Sequence, residues 1–245
     1  MTLLERFYPE SRFGGYSDID GTVTFYGRVQ ALLQSDMVVL DVGCGRGAGL
    51  MHDPVVFRRE LRRLRGRCKR VIGLDVDVEA RSNPGVDEFH LIDGAAPWPL
   101  ADRSIDLIVS DYVLEHIDEP AAFMAQVARV LKPGGVFCAR TTNRLGYVGL
   151  VASVIPNRRH GKVVRFAQKD REEMDVFPTR YRINTIWQVR HFLEASGLQG
   201  LVYGYEAEPS YLRFSWLAYS LGKYLHAMTP PFLRTCLFVF ARKPE

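Results

Sequence analysis

A short apolar run that ends in closely spaced glycines is the stretch of this sequence best suited to hold a ligand. Met37 to Val42 is apolar apart from Asp41, and Gly43, Gly45 and Gly47 follow it. Such a run is typical of a buried parallel strand, and glycine permits the positive φ and close backbone approach of a ligand-binding turn. Because an unpaired buried carboxylate is costly, we expect a bound ligand to pair with Asp41.

Three further apolar runs also end in polar residues. They end at Asp75, at Asp93, and at Ser110 with Asp111 and Tyr112. The carboxyl ends of parallel strands share one edge of a sheet, so these residues should surround the glycine turn. Asp75 is placed to accept hydrogen bonds from ribose hydroxyls, whereas Asp93 could bind an adenine amino group or simply begin a turn. Gly43-x-Gly45-x-x-Ala48 also satisfies a relaxed dinucleotide fingerprint, so the glycines alone leave the ligand open.

The order of the predicted elements defines the fold class. A helical pattern over 119–130 and the breaker Pro133-Gly134-Gly135 lead to a fifth strand at 136–142, and further strands are predicted at 198–205 and 235–242. Strands that alternate with turns and helices predict an α/β fold, with a doubly wound parallel sheet and helices on both faces.

Five motifs in this order resemble the class I S-adenosylmethionine-dependent methyltransferases, in particular the type 11 branch that includes ubiquinone and menaquinone biosynthesis enzymes. They are Asp41-Val42-Gly43-Cys44-Gly45-x-Gly47, Asp75, Asp93-Gly94, Leu114-Glu115-His116 and Leu131-Lys132-Pro133-Gly134-Gly135. The match covers residues 36–142. It implies a Rossmann-like, mostly parallel seven-stranded sheet with an antiparallel last strand. It also implies methyl transfer from S-adenosyl-L-methionine, with S-adenosyl-L-homocysteine as the product.

The resemblance further implies which residues hold the cofactor. The backbone of Gly43, Cys44, Gly45 and Gly47 would pass beneath its methionine part and ribose, with Asp41 near its amino group. Asp75 would bind the ribose hydroxyls and Val76 would pack on the adenine. Asp93 and Gly94 would lie at the adenine amino group. The methionine side and the passage to the acceptor would be lined by Ser110, Asp111 and Tyr112.

The acceptor is expected to be a hydroxyl of a small, glycan-linked or lipid-linked molecule, and an oxygen nucleophile usually needs a base. His116, on the turn that enters a helix, is the candidate catalytic base; alternatively it orders the loop or closes the cofactor pocket. The family motifs end at residue 142. Beyond them and in the N-terminal segment, the candidate substrate-binding residues are Tyr16, His160, Tyr181 and Arg182, each of which could instead be a surface or capping residue.

The chain divides into a predicted N-terminal cap segment, 1–35, and a methyltransferase domain, 36–245, with insertions at 143–184 and 206–230. The cap either folds over a pocket or packs on the sheet, and the first insertion is too long for an ordinary connection and should be a lid. The aromatic stretch 209–228 resembles an interfacial helix or the wall of an oily tunnel. Its alternative is a helix packed on the lid or in a dimer contact.

Composition limits the partners. The chain has 245 residues, 47% apolar and 24% charged, and its net charge of +4 comes largely from an arginine-rich segment at 58–70. We interpret that segment as a surface helix, and expect no nucleic-acid partner and a monomer or homodimer. Scattered cysteines, the lack of a signal-peptide pattern and the lack of a spanning run predict a cytoplasmic protein, at most peripheral to a membrane.

No metal is expected, because no His, Cys and carboxylate group has ligand spacing. Two alternatives to a methyltransferase remain at this point. One is a binding or regulatory protein that keeps the cofactor fold without turnover, and the other is an NAD-binding oxidoreductase.

Overall fold

The computed structural model describes residues 1–93, 97–154 and 178–245, and within them one seven-stranded sheet carries the fold. Its strands are β1 (Val38–Val42), β2 (Arg70–Asp75), β3 (Glu88–Leu91), β4 (Ile105–Asp111), β5 (Leu131–Thr142), β6 (Gln199–Tyr205) and β7 (Cys236–Arg242). Their order is β3-β2-β1-β4-β5-β7-β6, with β7 antiparallel to both of its neighbours and the other pairs parallel. The predicted doubly wound sheet with an antiparallel last strand is confirmed.

Helices flank this sheet on both faces. Those in the described residues are α1 (Leu3–Phe7), α2 (Gly21–Leu32), α3 (Ala48–Met51), α4 (Val56–Arg62), α5 (Pro120–Val130), α6 (Tyr147–Val154), α7 (Ile186–Ala195) and α8 (Trp216–Met228). Side-chain caps fix their starts: Asp20 accepts from the amides of Thr22 and Val23 at α2, and Thr185 accepts from Gln188 at α7. Across the described ranges, none of the helices has the length and apolar character needed to cross a bilayer.

Alternate residues of each strand enter two separate cores. Leu40 of β1 joins the core under α5 and α7, whereas its neighbour Val39 joins the core under α2, together with Phe25 and Val29. Successive side chains of a strand point to opposite faces, so Asp41 lies on the α2 face of the sheet. The predicted cap segment therefore contributes α2 to the core on the same face as Asp41.

The arginine-rich segment is helical only in its first half. Helix α4 ends at Arg62, and Gly66 follows in a turn with φ of +81°. The arginines are balanced by acids: Arg62 pairs with Asp53 at 2.6 Å and Arg65 with Asp87 at 2.7 Å. This segment is therefore a charge-neutralised surface, which agrees with its interpretation as a surface element.

The start of β5 also differs from the sequence prediction. Strand β5 already begins at Leu131, because Leu131 pairs with Ile105 of β4 before an irregularity in register. Its early start places Pro133 and Gly134 inside the strand rather than ahead of it. Of the predicted lid at 143–184, only 143–154 and 178–184 belong to the described residues.

Candidate functional site

The glycine turn after β1 is held by the neighbouring strand β2. The amide of Gly43 donates to the carbonyl of Leu74 at 2.7 Å, and the amide of Gly45 donates to Oδ2 of Asp75 at 2.8 Å. Gly43, Gly45 and Gly47 have φ values of +69°, +53° and +80°, a region that L-residues with a side chain rarely adopt. Backbone conformation and hydrogen bonds together fix this turn at the carboxyl edge of the sheet.

Asn83, which the sequence analysis did not identify, anchors the same turn from the other side. Its Nδ2 donates to the carbonyls of Cys44 at 2.7 Å and Gly45 at 3.1 Å. In the sequence Asn83 precedes Pro84 and Gly85, which indicates a turn, so its type alone gave no reason to connect it with the glycines. Asn83 is a positioning residue for the turn.

Steric contacts separate the three glycines by role. A Cβ at Gly43 would overlap with Cγ2 of Val113, and one at Gly47 would lie 2.7 Å from Oδ1 of Asn83. A Cβ at Gly45 would have no atom of the described residues within 4 Å. Packing of the protein itself therefore requires glycine at the first and third positions, whereas Gly45 faces open space of the kind a ligand could fill.

Asp75 has a more structural position than the sequence predicted. It is buried, its Oδ2 accepts from Gly45, and its Oδ1 accepts from the amide of Asp77 at 2.9 Å. Each carboxylate oxygen has a second lone pair, so ribose hydroxyls could still donate to it. Asp75 thus links the glycine turn to β2, and its proposed ribose contact stays a prediction.

The predicted adenine side of the site is open. Val76 is 53% exposed and Asp93 is also exposed. An apolar side chain left in solvent at the end of a buried strand is suited to pack on a flat ring. Gly94 lies outside the described residues, so its predicted close approach is not described.

Three charged residues meet on the α2 face at the ends of β1, β4 and β5. Arg140 is buried and forms a bidentate pair with Asp111, with Nε to Oδ1 and Nη2 to Oδ2 both at 2.7 Å. Tyr26 donates to Oδ2 of the same carboxylate at 3.1 Å. Asp111 was expected to line the cofactor's methionine side, but its carboxylate is committed to Arg140 and Tyr26. Arg140 itself was missed, although an arginine within a buried strand signals a buried partner.

Asp41 is the second carboxylate of this cluster. None of the described residues donates a hydrogen bond to its side chain. Burial, together with the charges of Asp111 and Asp75, raises the pKa of Asp41 to about 7. Burial also opposes ionisation of Asp111, but Arg140 outweighs it and holds the pKa of Asp111 below its ordinary value. The cluster therefore has one carboxylate that is matched by a cation and one that is not.

The other two residues predicted after β4 face different surroundings. Ser110 is fully buried, and its Oγ has no hydrogen-bond partner within the described ranges. Tyr112 is 37% exposed and adopts φ of +58°, a conformation that is uncommon for a residue with a side chain. Its amide donates to the carbonyl of Arg140 at 2.7 Å, which holds the ring above β5. Tyr112, rather than Ser110, therefore borders open space.

A cavity of about 70 Å³ opens beside Tyr112, above the ends of β5, β6 and β7. Four tyrosines, one arginine and one glutamate give its lining an aromatic and polar character: Tyr112, Tyr147, Tyr205, Tyr211, Arg140 and Glu208. Glu208 accepts a hydrogen bond from Oγ of Ser17, and burial raises the pKa of its carboxyl. The cavity is separated from the glycine turn by the Asp41, Asp111 and Arg140 cluster, so it lies on the side expected for an acceptor.

Glu115 and His116 hold the loop after β4. Glu115 is buried, and its carboxylate accepts from Oγ1 of Thr141 at 2.6 Å and of Thr142 at 3.1 Å. Nδ1 of His116 lies 3.0 Å from the carbonyl of Pro178. A carbonyl can only accept, so Nδ1 carries the proton and the lone pair of the neutral ring is on Nε2. His116 has the tautomer of a base, but it does not line the cavity.

The predicted substrate-binding residues that the structure describes are not among those that line the cavity. Tyr16 stacks on Phe57 with ring centroids 5.1 Å apart, and Tyr181 is buried with its amide donating to the carbonyl of Glu115. Arg182 donates to the carbonyl of Asp118 at 2.7 Å. None of these three lines the cavity, and their role in acceptor binding stays a prediction. His160 lies outside the described residues.

The described ranges contain no group of three or more His, Cys, Asp or Glu side chains that could hold a metal ion. The sheet order and the glycine turn instead define a Rossmann-like domain whose carboxyl edge is suited to bind a small molecule. Its antiparallel β7, between β5 and β6, distinguishes it from the 3-2-1-4-5-6 order of dinucleotide-binding domains.

Comparison with known proteins identifies the domain. Residues 40–139 match the model of a family described as a methyltransferase domain. A protein of Mycolicibacterium smegmatis named a probable S-adenosylmethionine-dependent methyltransferase is 40% identical over 115 residues, 44% of this chain and 39% of that protein. A ubiquinone biosynthesis O-methyltransferase of Caulobacter vibrioides is 27% identical over 116 residues, 44% of this chain and 42% of that protein. The matched segments span about two fifths of the length of these relatives.

Solved structures share the fold. An S-adenosylmethionine-dependent methyltransferase from Mesorhizobium loti has a TM-score of 0.57 at 19% identity, and covers 91% of this chain and 99% of its own. One from Archaeoglobus fulgidus has a TM-score of 0.54 at 16% identity, with 97% and 99% covered. Residues 40–139 thus match a methyltransferase domain, in agreement with the resemblance that the motifs over 36–142 predicted.

Proposed function

We propose that this protein transfers a methyl group from S-adenosyl-L-methionine to a hydroxyl oxygen of an acceptor bound in the cavity beside Tyr112. The observation that carries the proposal is the carboxylate of Asp41, which lacks a matching cation among the described residues and shares the carboxyl edge of the sheet with the open space at Gly45. A ligand with a positive charge would balance Asp41 in the way that Arg140 balances Asp111. S-adenosylmethionine has both an ammonium and a sulfonium group, and it supplies the methyl group on its positively charged sulfur.

The chain's own residues would act mainly by holding the two reactants. Asp41 would accept a hydrogen bond from the cofactor's ammonium, and the turn from Gly43 to Gly47 would support its methionine and ribose. Val76 would pack on the adenine. Much of the rate of a displacement at a methyl group can come from alignment in a site that excludes water. Tyr112, whose amide donates to the carbonyl of Arg140, would separate the two ligands from solvent.

A hydroxyl acceptor needs a group that takes its proton. In its neutral form the His116 ring has its lone pair on Nε2. The carboxylate of Glu208 is the other candidate, and Glu208 lines the cavity. Burial raises the pKa of Glu208 toward the range where a carboxylate is an effective base. The part of the acceptor that enters the cavity would be small, because the cavity has a volume of about 70 Å³.

Calorimetric titration with S-adenosylmethionine, S-adenosylhomocysteine and NAD tests the cofactor. We expect both adenosyl ligands to bind and NAD not to bind. Binding of NAD alone would favour an oxidoreductase and overturn the proposal. Binding of the adenosyl ligands without transfer of a labelled methyl group to hydroxyl compounds would instead favour a binding protein without turnover.

The two candidate bases are separated by variants in the labelled-methyl assay. If His116 takes the proton, His116→Ala should lower kcat about a hundredfold with little change in cofactor affinity. If Glu208 takes it, Glu208→Gln should do so instead. A variant that loses cofactor affinity as well indicates a structural role for that residue.

A further inference from the structure

Helix α8 has an outer face without the polar residues that a solvent-exposed helix normally carries. Five large apolar side chains, here called the α8 face, lie exposed along one stripe: Leu217, Leu221, Tyr224, Leu225 and Met228. Helix α7 shows the ordinary case, because Arg190, His191 and Glu194 are among its exposed residues. Contiguous apolar surface of this kind marks an interaction site.

The flank of the α8 face is also apolar and is positively charged. Phe214 and Trp216 are exposed at the start of the helix, and the guanidinium of Arg6 lies 5.3 Å from the centre of the Trp216 ring. Arg213 is exposed beside them. Exposed tryptophan with arginine is suited to the boundary between lipid tails and headgroups.

Negative charge is absent from this part of the sequence. No aspartate or glutamate occurs between Glu208 and Glu245. The two acids that precede the helix are directed inward, since Glu206 accepts from Thr235 and Glu208 from Ser17. The N-terminal segment packed against α8 does have acids: Glu5 is bonded in the cap of α1, and Glu10 and Asp18 are exposed, with Glu10 accepting from the amide of Asp18. None of them belongs to α8 or to the turn that precedes it. The charge pattern therefore favours an anionic surface over an acidic or neutral protein partner.

The helix is joined directly to the cavity. Gly222 lets α8 approach the preceding turn so closely that a Cβ there would lie 3.1 Å from Pro209 and 2.5 Å from Leu212. The same turn contributes Ser210 and Tyr211 to the cavity lining. An acceptor held in a surface in contact with the α8 face would therefore lie close to the cavity.

We infer that the α8 face docks on an anionic lipid bilayer and that the acceptor of the reaction is carried by a lipid of that bilayer. The helix has 13 residues and would lie in the interface, with its apolar stripe among the acyl chains and Arg6 and Arg213 near anionic headgroups. The statement about the acceptor rests on the proposed methyl transfer, whereas docking does not.

Flotation with vesicles tests docking without cofactor. The wild-type protein should float with vesicles of phosphatidylcholine mixed with phosphatidylglycerol, should float much less with phosphatidylcholine alone, and should be released at about 0.5 M salt. Leu221→Glu combined with Leu225→Glu should lower the bound fraction about tenfold. Leu201→Glu is the matched control, because Leu201 is 70% exposed on β6 and lies outside the α8 face.

The same samples distinguish lipid docking from damage to the fold and from dimerisation. Both variants should keep the wild-type affinity for S-adenosylmethionine, which shows that the cofactor site is intact and tests the proposed function separately. Equal flotation of wild type and the Leu221 and Leu225 double variant would overturn the inference. So would a wild-type dimer that this double variant converts to a monomer without any vesicle binding, since the α8 face would then be an interface between two copies.

Discussion

At the β1 and β2 end of the carboxyl edge, the hydrogen bonds that hold the site are made to backbone groups of the glycine turn, whereas at the β5 and β7 end the cavity is lined by side chains. The glycine turn is fixed by amides that donate to Leu74 and Asp75. The cavity instead depends on Arg140 and a set of tyrosines that arrive from separate elements. The Asp111 and Arg140 pair lies between the two.

This difference separates two requirements of a transferase. One turn and its neighbouring strand are enough to form a binding site for a ligand that never varies. A site for an acceptor has to be assembled from side chains that differ in size and charge, and each of them can be exchanged without rebuilding a strand. Substitutions should therefore act differently at the two ends.

The largest effect is expected from breaking the buried pair at the boundary. Arg140→Met leaves Asp111 buried without its cation and should lower the free energy of unfolding by about 3–5 kcal/mol, as found when one partner of such a pair is removed. Urea denaturation measures this. A double variant, Arg140→Met with Asp111→Asn, removes both charges and should recover at least half of the loss. A single variant as stable as wild type would mean that Arg140 does not hold the acceptor end together.

A second pair of substitutions tests whether the cofactor binds against the backbone of the glycine turn. Gly45→Ala and Gly66→Ala both introduce a Cβ at a positive φ, +53° and +81°, with no described atom within 4 Å. Each should cost about 1 kcal/mol of stability from backbone strain. Only Gly45→Ala should also weaken S-adenosylmethionine binding, by about tenfold or more, because its methyl group enters the ligand's space. Equal affinities in calorimetry would place the cofactor elsewhere.

Asp41→Asn should separate binding from stability. Loss of a charge-assisted hydrogen bond of about 1.5–3 kcal/mol should weaken cofactor binding roughly 10- to 100-fold. In the cofactor-free protein the effect reverses, because the pKa of Asp41 is raised from 3.8 to about 7 and the cost of its ionisation therefore grows as the pH rises from about 4 to about 7. At pH 8 the variant should be more stable by up to about 4 kcal/mol, the difference should shrink as the pH falls through this window, and below about pH 4 the two proteins should be alike.

The wild-type protein provides the complementary measurement. Its affinity for S-adenosylmethionine should fall as the pH is lowered below about 7, because Asp41 then binds a proton in place of the ligand's ammonium. Asp41→Asn should lose this dependence. A wild-type affinity that does not change between pH 6 and pH 8 would contradict the position given to Asp41.

The smallest effect on cofactor binding is expected at Asn83. Asn83→Ala removes two hydrogen bonds to the glycine turn, and should cost about 1–2 kcal/mol of stability and weaken cofactor binding by a few fold. Asn83→Asp is the matched control, since it keeps the size of the side chain but removes both donors. If neither substitution changes affinity, β2 alone is sufficient to hold the turn.

The glycine turn and the acid beside it could be predicted from the sequence, because the residues that define them lie close together along the chain. A strand, a glycine turn and an acid at the end of the next strand follow each other within a few dozen residues, and their order predicted both the fold and the turn. Asn83 was not predicted, because its side chain reaches the glycine turn from a separate loop. The sequence of that loop indicates only a turn of its own.

The lining of the cavity could not be predicted from the sequence, for the opposite reason. Tyr112, Tyr147, Tyr205 and Tyr211 are distant in sequence and meet only through the fold, so no spacing could connect them. Tyr16, Tyr181 and Arg182 were chosen by residue type, and the structure gives each of them other contacts. Arg140 was the detectable signal, because a charge between Ala139 and Thr141 in a buried strand requires a partner.

The reversed direction of β7 has a consequence for the connection that precedes it. Because β7 runs opposite to β6, this connection leaves the sheet at Tyr205 and returns at Cys236 on the same edge, where these two residues pair. The segment between them, including α8, therefore begins and ends at residues that line the cavity. A longer or shorter segment could be joined at the same two points without a change in the register of any strand.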